Sequence, residues 1–288
     1  MKITINAAAK INLFLEIISK RKDLLHNVES IMQSIDLYDT ISVESCSGIP
    51  GIHLNGGLLD ICEPHKNTTY KAAEAFLKTA KVQRKIIISC KKIIPIKAGL
   101  AGGSTDAAGV ILALNKLFYN KFRLEELCKI GEKIGADVPF CLTGGCCLVK
   151  GFGENVTKID SCTKYLIVLV KPRLNISTKE AYRLCDDLKY NPQNSTKILN
   201  ALKQKNPDEL SKNLHNRFEN ILKLKEIFEL KNEFKKNGAI GCLMSGSGSC
   251  VFGIFKEKEK AKTCFCDFKR KNKKTFLCKT IDFGYKFL

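Results

Sequence analysis

Two charged residues stand where a charge is costly unless it has work to do. Lys10 lies in Ala9-Lys-Ile-Asn12, among apolar residues of an extended stretch. A buried ammonium needs a partner or a ligand. Taken alone, Lys10 reads equally well as a strand-edge residue with its head in water or as a charge aimed into a site. Asp137 stands in Gly135-Ala-Asp-Val-Pro-Phe140, just past a helical stretch. Taken alone it reads more readily as a solvated carboxylate in a turn than as a functional group.

Glycine loops supply the complementary chemistry. Residues 95–109 read Pro-Ile-Lys-Ala-Gly-Leu-Ala-Gly-Gly-Ser-Thr-Asp-Ala-Ala-Gly, between a strand and a helix. Gly99, Gly102 and Gly103 let backbone N–H groups approach a ligand without side-chain obstruction. Ser104, Thr105 and Asp106 are expected to cap the helix, whose free N-terminal amides form an anion site. No Gly-Lys-Ser/Thr follows and the G-x-G-x-x-G spacing is missing, which excludes the Walker loop and the dinucleotide fingerprint. A second loop, residues 244–249 (Met-Ser-Gly-Ser-Gly-Ser), joins two apolar strands. By itself it is a hairpin turn; paired with the first loop it suggests a shared polyphosphate site.

The elements that must position these groups follow from periodicity. Strands are expected at residues 2–6, 11–18, 29–36, 39–44 and 84–94, with a helix over 68–80. The glycine-loop helix runs on through 107–118, and a shorter one covers 124–134. Composition changes after Asp160. A strand at 165–170 precedes helices at 178–188, 195–203, 209–222 and 224–236. Strand, loop and strand fill 239–255, and a last strand is expected at 275–283. Strands and helices mix without strict βαβ alternation. That implies an α+β fold of two domains, residues 1–160 and 161–288.

Composition narrows the function. The net charge of +19 suits either nucleic acid or small anionic ligands. The densest basic cluster, Lys269 to Lys274, reads as a helix end and turn, and no nucleic-acid-binding motif appears. The expectation is therefore no nucleic-acid partner. The 14 Cys are scattered without CxxC or zinc spacing, as expected of small hydrophobes in a reducing compartment. Lys10 interrupts the one N-terminal stretch that imitates a signal peptide. No apolar run reaches membrane-spanning length, so no membrane partner and a cytoplasmic location are expected.

Taken in order, these pieces resemble the galactokinase, homoserine kinase, mevalonate kinase and phosphomevalonate kinase (GHMP) superfamily. Within it they are most similar to the 4-diphosphocytidyl-2-C-methyl-D-erythritol kinase family of non-mevalonate isoprenoid synthesis. The resemblance runs nearly end to end, and residues 9–15, 99–108 and 135–140 are its most specific parts. It implies an N-terminal domain like ribosomal protein S5, a ferredoxin-like C-terminal domain and an active site between them. It implies ATP and Mg2+ as cofactors, and phosphorylation of a small-molecule alcohol by a monomer or homodimer. Asp137 would accept the substrate hydroxyl proton, with Lys10 beside it. The ATP phosphates would be wrapped by Pro95, Lys97, Ala98, Gly99, Leu100, Ala101, Gly102, Gly103, Ser104 and Thr105. Ser104 or Thr105 would lie near the metal, Ser104 being the candidate ligand. Asn67 would lie by the nucleotide. Asn12, His26, Thr178 and Tyr182 would hold the cytidine diphosphate end, and Gly246 and Gly248 would close the site.

The chain departs from that pattern at three places. It has Asp23-Leu-Leu-His26 where the family reads Asp-Gly-Tyr-His, Ala101 where Gly is usual, and Arg217 where an acid is usual. The competing readings are a superfamily relative acting on homoserine or mevalonate, and a non-catalytic nucleic-acid binder.

Overall fold

The computed structural model describes residues 1–58, 62–160, 164–186, 191–271 and 273–288. Its elements run β1 (Lys2–Lys20), β2 (His26–Cys46), β3 (Gly51–Asn55), α1 (Thr68–Ala80), β4 (Lys85–Lys91), α2 (Gly102–Leu117), α3 (Leu124–Gly131), α4 (Val138–Thr143), β5 (Cys146–Gly151) and β6 (Asn155–Lys158). Then follow β7 (Leu166–Lys171), α5 (Thr178–Asp186), α6 (Thr196–Lys203), α7 (Pro207–Lys212), β8 (His215–Asn216), α8 (Arg217–Leu222), α9 (Lys225–Lys236), β9 (Gly241–Met244), β10 (Val251–Phe255), α10 (Lys258–Arg270), β11 (Lys274–Lys279) and β12 (Tyr285–Phe287).

The first two expected pairs of strands are each one long strand. β1 and β2 pair antiparallel from Lys2↔Glu44 to Lys20↔His26, with register shifts at Ala8/Ala9, Asn12/Phe14 and Ile17/Ser19. Those irregularities let the strands bend without breaking. Ala7, Ala8 and Ala9 are poor strand formers, but each is buried, and packing overrides propensity. The expected 209–222 helix is also corrected. It divides into α7, β8 and α8, because the Asn216 side chain caps α8 by accepting from Phe218 N–H at 2.9 Å. The remainder of the expected 178–188 helix, after Asp186, lies outside the described residues.

One sheet has the order β12-β1-β2-β4-β3, with β5 joined to β2, β6 to β5 and β8 to β1. The C-terminal strand thus returns to the N-terminal sheet. α1 and α2 cover one face, and Phe76, Ile41, Ile86, Ile88 and Leu114 form the core between. Gly109 permits this approach: a Cβ there would sit 2.8 Å from Ile41 Cδ1. The second sheet, β11-β7-β10-β9, is antiparallel. With α9 and α10 it forms the βαββαβ order of a ferredoxin-like unit. A second core draws on both sheets, packing Ile11, Leu13, Ile31 and Ile35 with Ile167, Leu169, Phe252 and Ile254.

Candidate active site

β1 carries Lys10 toward a cleft of about 880 Å³ that lies between the two halves. The side chain is only 4% exposed, and Nζ lies 3.5 Å from Asp137 Oδ2. It donates to Asn12 Oδ1 at 2.7 Å and to the Gly99 carbonyl at 3.1 Å. The structure therefore chooses the aimed charge over the snorkelling edge residue. Asp137 occupies the N-cap position of α4 yet makes no side-chain capping bond, so its carboxylate is left for the cleft. Asn12 is fixed in turn by donating to Ser30 Oγ at 2.9 Å.

The first glycine loop is tied down through its carbonyls. Ala98 O accepts from Cys250 N–H at 3.1 Å, and Leu100 O accepts from Lys10 N–H at 3.3 Å. Gly99 O accepts from Ser245 Oγ at 2.9 Å as well as from Lys10. Gly99 has φ 75°, and a Cβ there would fall 1.9 Å from Ser245 O, so the two glycine loops touch where only glycine fits. Asn216 Nδ2 secures the second loop, donating to Met244 O at 2.6 Å and Gly246 O at 2.8 Å.

Helix α2 starts earlier than expected, at Gly102, with Ala101 as N-cap at φ 59° and no side-chain cap. The expected capping by Ser104, Thr105 and Asp106 is corrected accordingly. The bond from Thr105 N–H to Ala101 O, 2.8 Å long, belongs to the first turn. The amides of Gly102, Gly103 and Ser104 precede it and have no partner within the helix. They form an anion site at the positive end of a 16-residue helix.

Most of the residues expected at the site line this one cleft: Lys10, Asn12, Asn67, Pro95, Lys97, residues 98–104, Asp137, Thr178, Tyr182, Gly246 and Gly248. Thr105 does not. It is fully buried, its hydroxyl donates to Ala8 O at 3.0 Å, and one residue along a helix turns the side chain from cleft to core. His26 is not on the wall either. Its Nε2 meets Asp186 Oδ1 at 2.7 Å, and its ring stacks on Tyr182 at 4.7 Å. Asn67 reaches the cleft, but its side chain is engaged: Oδ1 accepts from Thr69 N–H at 3.0 Å, capping α1. The Thr178 hydroxyl meets Ser247 Oγ at 2.8 Å, linking α5 to the second glycine loop.

Sequence reasoning missed Lys92 and Asp39 beside the first glycine loop, and read Asp106 only as a helix cap. Lys92 Nζ lies 2.5 Å from both Asp39 Oδ2 and Asp106 Oδ2. Burial, with Asp39 alongside, pushes the Asp106 carboxyl up to about 7 against the pull of Lys92. Burial lowers Lys92, but the two carboxylates outweigh it and raise the ammonium above its usual range. Asp106, polar among the small residues that open the helix, was the one sequence hint of this cluster. Phe152, in the turn between β5 and β6, also lines the cleft and had no sequence signal.

A GHMP kinases N terminal domain model matches residues 67–145, and a GHMP kinases C terminal model matches residues 198–274. The chain belongs to the GHMP kinases. This GHMP kinase is a small-molecule phosphotransferase that uses ATP as co-substrate. A relative in Clostridium beijerinckii, named 4-diphosphocytidyl-2-C-methyl-D-erythritol kinase, is 42% identical over 285 residues, covering 96% of this chain and 99% of its own. One of the same name in Clostridium botulinum (strain Eklund 17B) is 41% identical, covering 97% of this chain and 100% of its own. A crystal structure of 4-(cytidine 5'-diphospho)-2C-methyl-D-erythritol kinase matches with TM-score 0.79 at 29% identity, over 97% of this chain and 99% of that one. Homoserine kinase from Cytophaga hutchinsonii also gives TM-score 0.79, but at 18% identity it shares the fold alone.

Proposed function

We propose that this GHMP kinase transfers the γ-phosphoryl group of ATP to the 2-hydroxyl of 4-diphosphocytidyl-2-C-methyl-D-erythritol, giving the 2-phosphate and ADP. The observation that carries the chemistry is the Lys10–Asp137 pair, 3.5 Å apart, in one cleft with the free amides of α2. The near full-length likeness to relatives of that name supports the substrate.

Asp137 accepts the proton of the attacking hydroxyl as the oxygen forms its bond to the γ-phosphorus and the bond to ADP breaks. Lys10 holds that carboxylate, and through Gly99 O it holds the phosphate loop in register with it. The amides of Gly102, Gly103 and Ser104 receive phosphate charge. Positioning and charge neutralisation are most of what phosphoryl transfer asks of a protein.

Among the described residues no cluster of three or more His, Cys, Asp or Glu forms a metal site. Mg2+ is commonly held by few protein oxygens together with substrate phosphates. The residues present fit that pattern: Ser104 lines the cleft, and its hydroxyl would hold the ion together with the phosphates. When bound, Mg2+ neutralises charge on the transferring group. The test is ADP release against a panel of alcohols. Turnover of homoserine or mevalonate, with none of the cytidyl substrate, would sink the proposal.

A further inference from the structure

The proposed substrate carries a planar pyrimidine, and binding it calls for an aromatic face. The expected positions do not supply a slot. Leu25, where the family has Tyr, is 47% exposed and does not line the cleft. His26 and Tyr182 lie on each other, 28° from parallel, so the space between them is filled. Tyr182 is also held edge-on by Phe218 at 4.9 Å.

Phe152 stands where a second face is needed. β5 pairs with β2 so that Gly151 lies opposite Val28. The next residue, Phe152, therefore reaches the end of the cleft lined by Leu15, Val28, Tyr182 and Phe218. Its turn is rigid: Glu154 Oε2 accepts from Phe152 N–H at 2.7 Å and from Gly153 N–H at 3.1 Å. It also rests on the loop that carries Asp137, since a Cβ on Gly153 would sit 2.4 Å from Ala136 O. The Arg21 guanidinium lies over the ring, 5.4 Å from its centroid, and is itself held by Asp23. A cation thus lies over the ring, and the residue also lines the cleft. A ring already fixed in the wall loses little freedom when it stacks.

We infer that Phe152 is the ring on which the cytosine of the substrate stacks, and that it sets the preference for a nucleotide-bearing alcohol over a bare one. This rests on the proposed function above. In this chain the hairpin residue Leu25 offers no ring.

The experiment compares Phe152→Leu, which keeps apolar bulk, with Phe152→Tyr, which keeps the ring. Three constants are read: KM for the cytidyl substrate, KM for ATP, and Ki for CDP as inhibitor. Phe152→Leu should raise the cytidyl KM and the CDP Ki by about five- to fiftyfold, the lower part of the range for one lost base–aromatic stack because Leu keeps apolar contact. Phe152→Tyr should restore both, and the ATP constant should move less than about twofold, since the nucleotide amides lie at the other glycine-rich wall. A Phe152→Leu enzyme with wild-type constants overturns the inference, as does one in which all three constants rise together. Wild-type protein that neither turns over the cytidyl substrate nor binds CDP overturns the proposed function and this inference with it. Wild-type turnover with an unmoved Phe152→Leu overturns the inference alone.

Discussion

The Lys10 ammonium has three protons, and three oxygens face it: Asn12 Oδ1, Gly99 O and Asp137 Oδ2. One residue thus joins Asp137, the first glycine loop and Asn12. Asp137→Asn should preserve fold and ATP affinity while lowering kcat by about 10²- to 10⁴-fold, the scale of a lost general base. Coupled ADP release and ATP titration calorimetry check this. Lys10→Ala should lower kcat in the same direction and weaken ATP as well, because it removes one of the two donors that hold the Gly99 carbonyl. Gly102 tests the anion site. A Cβ there would meet Ile94 Cγ2 at 3.2 Å and Lys92 Nζ at 3.4 Å. Gly102→Val should therefore weaken ATP by about 2–3 kcal/mol, the worth of one or two charge-assisted hydrogen bonds, measured by titration of the folded variant.

At the scale of elements, the strands are joined by a buried carboxylate. Glu16 of β1 is fully buried and accepts from Arg217 Nε and Nη2, both at 2.7 Å. His215 Nε2 is 3.0 Å away, and Gln193 N–H donates at 3.0 Å. Arg217, a departure from the family pattern, here finds its counter-charge. Burial would raise the Glu16 carboxyl, but hydrogen bonds from His215, Arg217, Gln193 and Ile17 outweigh it and bring it from 4.5 to about 2. A depressed carboxylate stabilises in full above its unfolded value. That contribution should be present above pH 4.5 and fade as pH falls toward about 2. Glu16→Gln should cost about 3 kcal/mol near neutral pH, the scale for breaking one side of a buried pair. It should also flatten the acid limb of urea-unfolding curves. Ala101 is a second element-scale test. Its φ of 59° is one that a side chain adopts at a cost of about 1–2 kcal/mol. Ala101→Gly should therefore raise stability by about 0.5–1 kcal/mol, after the added chain entropy is subtracted, read from the denaturant midpoint.

At the scale of the whole molecule, the core shared by the two sheets holds the walls of the cleft in a fixed relation. The +19 charge finds its use at that opening. Lys10, Lys66, Lys92, Lys97 and Lys179 line the cleft against Asp106 and Asp137. The basic cluster that could have suggested nucleic acid is partly neutralised, with Lys271 and Lys273 both pairing with Glu233. Among the described residues no helix is long and apolar enough to cross a membrane. Anionic substrates approaching such a cleft should feel its field. Raising salt from about 0.1 M to about 1 M shortens the screening length from about 10 Å to about 3 Å. kcat/KM should fall severalfold over that range, and kcat should change little, as stopped-time assays in a salt series will read.

The sequence by itself determined the elements with strong periodicity, such as α1, which runs Thr68–Ala80 as expected, and the α+β class. It also supplied the motifs, the glycine runs, the lysine in an apolar strand and the aspartate past a helix end, whose order carried the resemblance although each alone left a bland reading open. Only the tertiary structure decided which of them meet. Lys10 and Asp137 are far apart in the chain and are brought to 3.5 Å by the seating of α4 against α2 and β1. It decided that Ser104 faces the cleft and Thr105 the core, a matter of helix phase that begins with Ala101 rather than with a polar cap. It divided the expected 209–222 helix, since Asn216 is needed to pin Met244 and Gly246. It placed His26 behind Tyr182 and put Phe152 on the wall. Stacking between residues 26 and 182, and the pairing of Gly151 with Val28, are long-range facts. Local pattern is set by neighbours within a few residues, whereas a site is set by which distant surfaces the cores press together.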